Sequence, residues 1–131
     1  MKKTEQIKKE LRRIRKLSHV IEASTKARER LENRRKLLEK AEQSEKSKLE
    51  IEKIERVISS LNVEHLIAES TELEERYIKA ISTFPPLDQV IIIDSYINGL
   101  TYWQIGRKIG YSESGVKRRI KKVVERLADI I

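Results

Sequence analysis

Apolar residues recur along most of this chain at helical rather than strand intervals. Ile7, Leu11, Ile14 and Ile21 keep spacings of four, three and seven, after which the stripe shifts to Ala27, Leu31, Leu38 and Ala41. Such a drift bends or interrupts a coiled coil. A second stripe follows at Ile51, Ile54, Ile58 and Leu61. Between the two, the polar run from Gln43 to Lys48 reads as a loop or helix-to-helix turn, with Ser44 or Ser47 as the next N-cap. Asn62 and Val63 mark another interruption. Thr71, with Glu74 three residues later, forms a capping box that opens a short helix with Leu73, Tyr77, Ile78 and Ile81 on one side. Pro85 and Pro86 make the first firm break, because proline disfavours helix in the residue before it and cannot occupy a helix interior. Beyond them, Leu87 to Ile97 is ambiguous, since Val90 to Ile93 suits a buried strand. Helix is the better reading: Pro86 fits a first helical position, Asp88 suits the positive end of the helix dipole, and no second strand is available for pairing. Gly99 ends it.

The last stretch, Leu100 to Leu127, carries the most specific pattern. Thr101 fits an N-cap and Tyr102 to Ile109 a short helix, with Ile105 and Ile109 one above the other on its inner face. Gly106 beside them lets a second helix cross at close range, and Gly110 supplies the left-handed residue that ends the first helix. Ser112 caps the second. Its inner face is Val116, Ile120, Val123, Leu127 and Ile130, at intervals of four, three, four and three. The opposite side collects Ser114, Lys117, Arg118 and Lys121, with Arg119 and Lys122 on the flanks. Two short helices, a tight turn and a cationic outer face on the second make a helix-turn-helix with a basic reading helix. The predicted fold is therefore all-α: long N-terminal helices, as a helical hairpin or coiled coil, in an extension over residues 1–70, followed by a helix-turn-helix domain over residues 71–131.

Residues Phe84 to Leu127 also carry a family resemblance. The two prolines before an apolar helix, the turn Tyr96 to Thr101 (YINGLT), Gln104 to Gly106 (QIG), Gly110 to Ser112 (GYS), and Val116 followed by Lys117 resemble region 4 of the sigma-70 family. They are more closely similar to regulators of Gram-positive phages that share this domain, including ArpU-like and RinA-like proteins. The likeness covers about the last third of the chain. Where many relatives have Ala after the Ile of the middle helix, this chain has Gly106. Gly115, inside the reading helix, costs about 1 kcal/mol relative to Ala; it either admits a close approach to the DNA backbone or is tolerated. The resemblance implies a transcriptional regulator, encoded by a phage or prophage, that activates late genes at promoters with RNA polymerase.

Charge and aromatic content sharpen this picture. The chain of 131 residues has a net charge of +8, which suits a polyanionic partner. Residues 1–46 hold 16 Lys/Arg and 8 Asp/Glu, residues 47–85 hold 5 and 8, and residues 86–131 hold 8 and 5. The excess lies at both ends, so the acidic middle is a poor phosphate surface. The basic run from Lys2 to Lys16 alternates with glutamate, which favours a solvated amphipathic face over a phosphate-gripping arm. No aromatic residue precedes Tyr77. Promoter melting needs aromatic platforms for unstacked bases, so the pattern is that of a region 4-like reader joined to a helical extension, not a complete sigma factor. With no cysteine, disulfides and thiolate zinc sites are excluded. Without a membrane-length apolar run or a secretion signal, a cytoplasmic location and no membrane partner are expected.

Lys117, Arg118 and Lys121 are the expected base readers, since Arg and Lys donate to guanine O6 and N7 in the major groove, and Ser114 suits a short contact to base or phosphate. Arg107, Lys108, Arg119 and Lys122 are expected on the DNA backbone, with Thr101 and Ser112 offering cap hydroxyls at helix starts. Trp103 more often closes a small core in such a setting; otherwise it meets DNA or a partner such as RNA polymerase, on which region 4 docks in the resembling family. Tyr102 and Tyr111 are equally open. His65 and Glu69 are one helical turn apart but lack a third ligand, and no nucleophile motif, phosphate loop or paired carboxylate set is present. Neither metal, cofactor nor catalysis is therefore expected. One helix-turn-helix reads few base pairs, so useful specificity needs a dimer or a polymerase partner, and the stripes Ile7 to Ile21 and Ile51 to Leu61 offer a homodimer surface unless they fold back within one chain. Two other functions fit the same elements. The small subunit of a phage terminase combines a helix-turn-helix with helical oligomerisation segments, and a coiled-coil adaptor would bind RNA polymerase without touching DNA.

Overall fold

The computed structural model describes residues 3–41 and 44–131, in which every regular element is helical. Helix α1 runs Lys3–Lys40, α2 Glu45–Ser60, α3 Val63–Ile81, α4 Pro86–Ile92, α5 Tyr102–Ile109 and α6 Glu113–Ile130. The all-α expectation holds, including the ambiguous segment after the prolines. There Pro86 takes the first turn of α4, and the chain continues into a π-helical turn over Ile93–Ile97. The amide of Asn98 reaches back to the Ile93 carbonyl at 2.9 Å, an i→i+5 bond that admits one extra residue. Gly99, at φ 71°, ends the segment. No described helix is long and apolar enough to cross a membrane.

Two expected boundaries moved. The drift of the first stripe does not interrupt α1, which is one helix throughout. Thr71 does not cap anything, because α3 already runs through it from Val63; a residue whose neighbours' amides are served by the preceding turn has no orphan donor to satisfy. Ser44 does cap α2, its hydroxyl accepting from the Ser47 amide at 3.1 Å. Gln43, expected in that connection, lies outside the described residues, as does Lys2 at the head of the basic run. Asn62, at φ 50°, breaks α2 from α3 as its position predicted.

The chain divides into two compact units, residues 18–69 and residues 1–17 with 70–131. In the first, Ile54 and Val63 are buried, and Arg28 of α1 donates to Glu64 of α3 at 2.6 Å. The second holds the principal core. Here the expectation that residues 1–70 form a separate extension requires revision, because the start of α1 belongs with the C-terminal helices. Ile7, Leu11 and Ile14, no more than 2% exposed, join one cluster with Tyr77, Ile81, Ile91, Ile92, Ile105, Val116, Ile120, Val123 and Leu127. The Ile7, Leu11 and Ile14 part of the first apolar stripe is thus covered within its own chain, while Ile21 lies outside that cluster. Periodicity showed which face of α1 was apolar but not what would cover it.

Polar contacts fasten the same seam. Glu10 of α1 accepts from the Tyr77 hydroxyl at 2.9 Å and pairs with Arg76, both on α3. Asp94, in the π turn, accepts from Lys108 Nζ at 2.8 Å and from Asn98 Nδ2 at 2.9 Å. Burial pushes both carboxyls up. Hydrogen bonds from Gln6 and Tyr77 together with Arg76 outweigh it at Glu10, and those from Lys108 and Asn98 at Asp94, so both lie below their ordinary values. Burial also raises the Tyr77 phenol, and its bond to Glu10 raises it further.

Two outcomes follow. Leu11→Ala should cost about 2–5 kcal/mol in urea unfolding; a loss under about 1 kcal/mol would mean that α1 is an appendage rather than part of the core. Both carboxyls bind protons more weakly folded than unfolded. Their contribution is therefore complete above the ordinary values of 4.5 for Glu10 and 3.8 for Asp94, and is lost as pH falls through the lower folded values. Asp94→Asn should be less stable than the parent near neutral pH and converge with it in strong acid, read by helical circular dichroism. A deficit that stays constant across the acid range would contradict the ion-pair role.

Candidate nucleic-acid interface

Local sequence sets the angle between α5 and α6. Thr101 and Gln104 form a reciprocal capping box: the Gln104 amide donates to Thr101 Oγ1 at 3.1 Å and the Thr101 amide to Gln104 Oε1 at 2.9 Å. Gly110, at φ 79°, ends α5 in the left-handed conformation, which costs glycine no side-chain clash. The carbonyl of Gly106 then accepts from both the Gly110 amide, at 2.8 Å, and the Tyr111 amide, at 2.9 Å. A Cβ on Gly106 would collide with the Tyr111 carbonyl oxygen. The missing side chain thus lets the turn itself fold down onto α5, with Val116 of α6 next in contact. Alanine at this position would force backbone to move. Ser112 caps α6, its hydroxyl accepting from the Gly115 amide at 3.1 Å.

Helix α6 buries Val116, Ile120, Val123 and Leu127, each at most 3% exposed. Val124 and Ala128 are buried too, a wider strip than the sequence spacing indicated, because α6 packs on both α4 and α5 within the cluster that α1 also joins. Ile130, expected on that inner face, is 55% exposed; the covered strip is centred nearer Val124 and Ala128, and Ile131 rather than Ile130 packs against the core.

On the other side, Ser114, Lys117, Arg118 and Lys121 are exposed. Spaced i, i+3, i+4 and i+7, they share one face. All four line a single groove of about 440 Å³, together with Tyr96, Tyr102, Ile120 and Lys8 of α1. Lys117, Arg118 and Lys121 make no ion pair among the described residues. A second, shallower depression of about 220 Å³ brings Arg118, Arg119, Lys122 and Tyr111 around Gly115, so the absent side chain in α6 opens a shelf among three cations.

The cations expected on the DNA backbone separate into two kinds. Arg119 Nε holds Asp88 Oδ1 at 2.8 Å, and Arg126 holds Asp88 Oδ2 at 2.7 Å. Asp88 is 1% exposed. A carboxylate so deeply buried is tolerable only when paired, so Arg119 first serves to clamp α6 to α4. Lys108, tied to Asp94, likewise anchors α5 to the π turn. Each of these two head groups is held by a buried acid while its side chain stays partly exposed, so a phosphate contact there would be shared with the ion pair. Arg107 and Lys122 carry no such tie. Thr101 and Ser112 use their hydroxyls as cap acceptors, and any anion at those helix starts would meet them already engaged.

Trp103 does not close the core. It is 55% exposed on α5, with the Arg107 guanidinium 5.0 Å from its ring centre. Ile105 and Gly106 take the inward positions of that short helix and leave no room on its inner side for an indole. Sequence reasoning also missed Lys8 and Tyr96 at the groove, and the two buttressing aspartates. Asp88 and Asp94 had a visible signal: acids inside the apolar run LDQVIIIDSYI call for a cationic partner, and α5 and α6 are where cations are plentiful. Lys8 had none, since nothing in the spacing of α1 says which helix it meets.

Comparison with known families shows that residues 80–129 fit the family described as Sigma-70, region 4. Comparison with curated proteins and with solved structures gives no significant match. The matched segment runs from the last turn of α3 to the last turn of α6. It forms a sigma-70 region 4-like helix-turn-helix domain, completed in this chain by a docked segment of α1 that lies outside the match.

Proposed function

We propose that this protein is a sequence-specific transcriptional regulator that reads double-stranded DNA with α6, and that it acts with RNA polymerase at promoters as a phage or prophage late-gene activator, like the ArpU-like and RinA-like regulators it resembles. One observation carries the DNA-reading part: Ser114, Lys117, Arg118 and Lys121 are exposed together opposite a buried seam, in a segment that fits region 4. An α-helix fits the major groove, where Lys and Arg donate to guanine O6 and N7. Arg118 lines both depressions on α6, which supports it as the foremost of the candidate readers. Lys122 and Arg107 supply charge for the backbone without sequence information.

Other features support the wider proposal. Trp103 stacked by Arg107 is an exposed aromatic with a cation on its face, the chemistry of a protein contact, and a polymerase surface is the partner that the family likeness supplies. A homodimer would have to use a surface other than the Ile7 to Ile14 stripe, which is taken, and residues 18–69 offer one. That unit leaves Leu37, Leu49, Val57 and Ile67 exposed.

Gel shift at fixed salt, on a duplex selected from random sequence by the full chain, tests the reading. Lys117→Ala and Arg118→Ala should each weaken binding to the selected duplex by roughly 5- to 150-fold, the equivalent of 1–3 kcal/mol per base contact. Lys53→Ala, on the acidic middle segment, should change it little. Equal losses for all three would mean diffuse charge attraction. No binding by the parent protein at any salt would favour the adaptor, and a ring of many subunits in solution would favour the terminase subunit.

A further inference from the structure

The two flanks of α1 differ in charge. Its buried stripe is Ile7, Leu11 and Ile14, and each of these is followed directly by a cation: Lys8, Arg12 and Arg15. One residue is about 100° of helical rotation, so the cations form a parallel stripe on one flank of the docked helix, at spacings of four and three. Glu10 lies towards α3, where it meets Arg76 and Tyr77. The cationic stripe lies towards the helix-turn-helix. Lys8 lines the groove that holds Ser114, Lys117, Arg118 and Lys121. The Arg12 guanidinium is 5.7 Å from the centre of the Tyr96 ring, which also lines that groove. Arg15 lies against Gly99, close enough that a Cβ there would overlap its guanidinium; the N-cap of α5, Thr101, is two residues further on. Arg12 and Arg15 are exposed and Lys8 is half-buried.

From this continuity of charge we infer that the docked start of α1 is a second DNA-contacting element, in which Lys8, Arg12 and Arg15 hold phosphates of the backbone bordering the groove that α6 enters. The inference rests on the DNA-reading proposal above, and it enlarges the interface beyond the segment that fits region 4. The stripe carries no base-reading geometry: two of its three cations lie over the Tyr96 to Gly99 edge, outside the groove. Its contribution is affinity and orientation, gained by releasing counterions from the phosphates it neutralises. Glu5, 3.6 Å from Lys8, is the local opposing charge, and a phosphate must compete with it for the ammonium.

The test uses the full chain and two duplexes, one selected by the parent protein and one of scrambled sequence, with affinity followed against salt concentration. Each phosphate contact contributes about 0.9 to the slope of log K against log salt. The triple variant Lys8→Gln, Arg12→Gln, Arg15→Gln should lower the slope by about two to three on both duplexes and leave their affinity ratio unchanged. Lys117→Ala should lower that ratio instead. Glu5→Gln should tighten both complexes. If the triple variant fails to fold, judged by its thermal transition, Lys8→Gln alone should still lower the slope by about 0.9. An unchanged slope in a folded variant, or tighter binding after the cations are removed, would overturn the inference while leaving α6 as the reader. Failure of the parent protein to bind either duplex would overturn the DNA reading itself.

Discussion

The rotation of α6 about its own axis is the constraint from which the rest of the interface follows. Val116, Ile120, Val123 and Leu127 are sealed in the core, and that seal leaves only one side of the helix facing outward. A slip of one residue would turn the helix about 100°, bring Lys117 towards the core and expose Val116. Neither is tolerable, since an unpaired buried ammonium and an exposed seam both cost several kcal/mol. Burial of apolar surface therefore selects which cations are presented, although it involves none of them directly.

Charge is then sorted by two acids. Asp88 and Asp94 lie inside the apolar segment that follows the prolines, and each draws in basic side chains from the reading half of the fold: Arg119 and Arg126 for the first, Lys108 for the second. These pairs tie α4 and the π turn to α5 and α6, and they divide the basic residues into those that hold the fold and those left for a partner. Lys117, Arg118 and Lys121 are in the second group. A net charge alone would not have made that distinction, because Arg119 and Arg118 contribute equally to it.

Much of this was legible from residue order because it depends on neighbours a few positions apart. The Thr101 and Ser112 caps, the left-handed Gly110 and the alternation of faces on α6 are local devices, and each is where its spacing placed it. What failed was what depends on distant packing. Thr71 reads as a cap only if nothing precedes it, and α3 precedes it. Trp103 reads as core only if α5 has an inward position to spare, and Ile105 with Gly106 fills that side. Ile130 continues the spacing of α6 but falls at the edge of the covered strip, where Ile131 takes the core position instead. The docking of Ile7, Leu11 and Ile14 was invisible for the same reason: an apolar face announces that it will be covered, not by which element. The π turn at Ile93–Ile97 has no composition signature.

Methylation interference on the selected duplex tests the central claim most directly, because guanine N7 lies in the major groove and adenine N3 in the minor groove. If the outer face of α6 enters the major groove, premethylation of guanine N7 at one or more positions should block binding of the parent protein, and Arg118→Ala or Lys117→Ala should abolish the interference at a particular guanine. Interference confined to adenine N3, or a guanine pattern that both substitutions leave intact, would contradict the account.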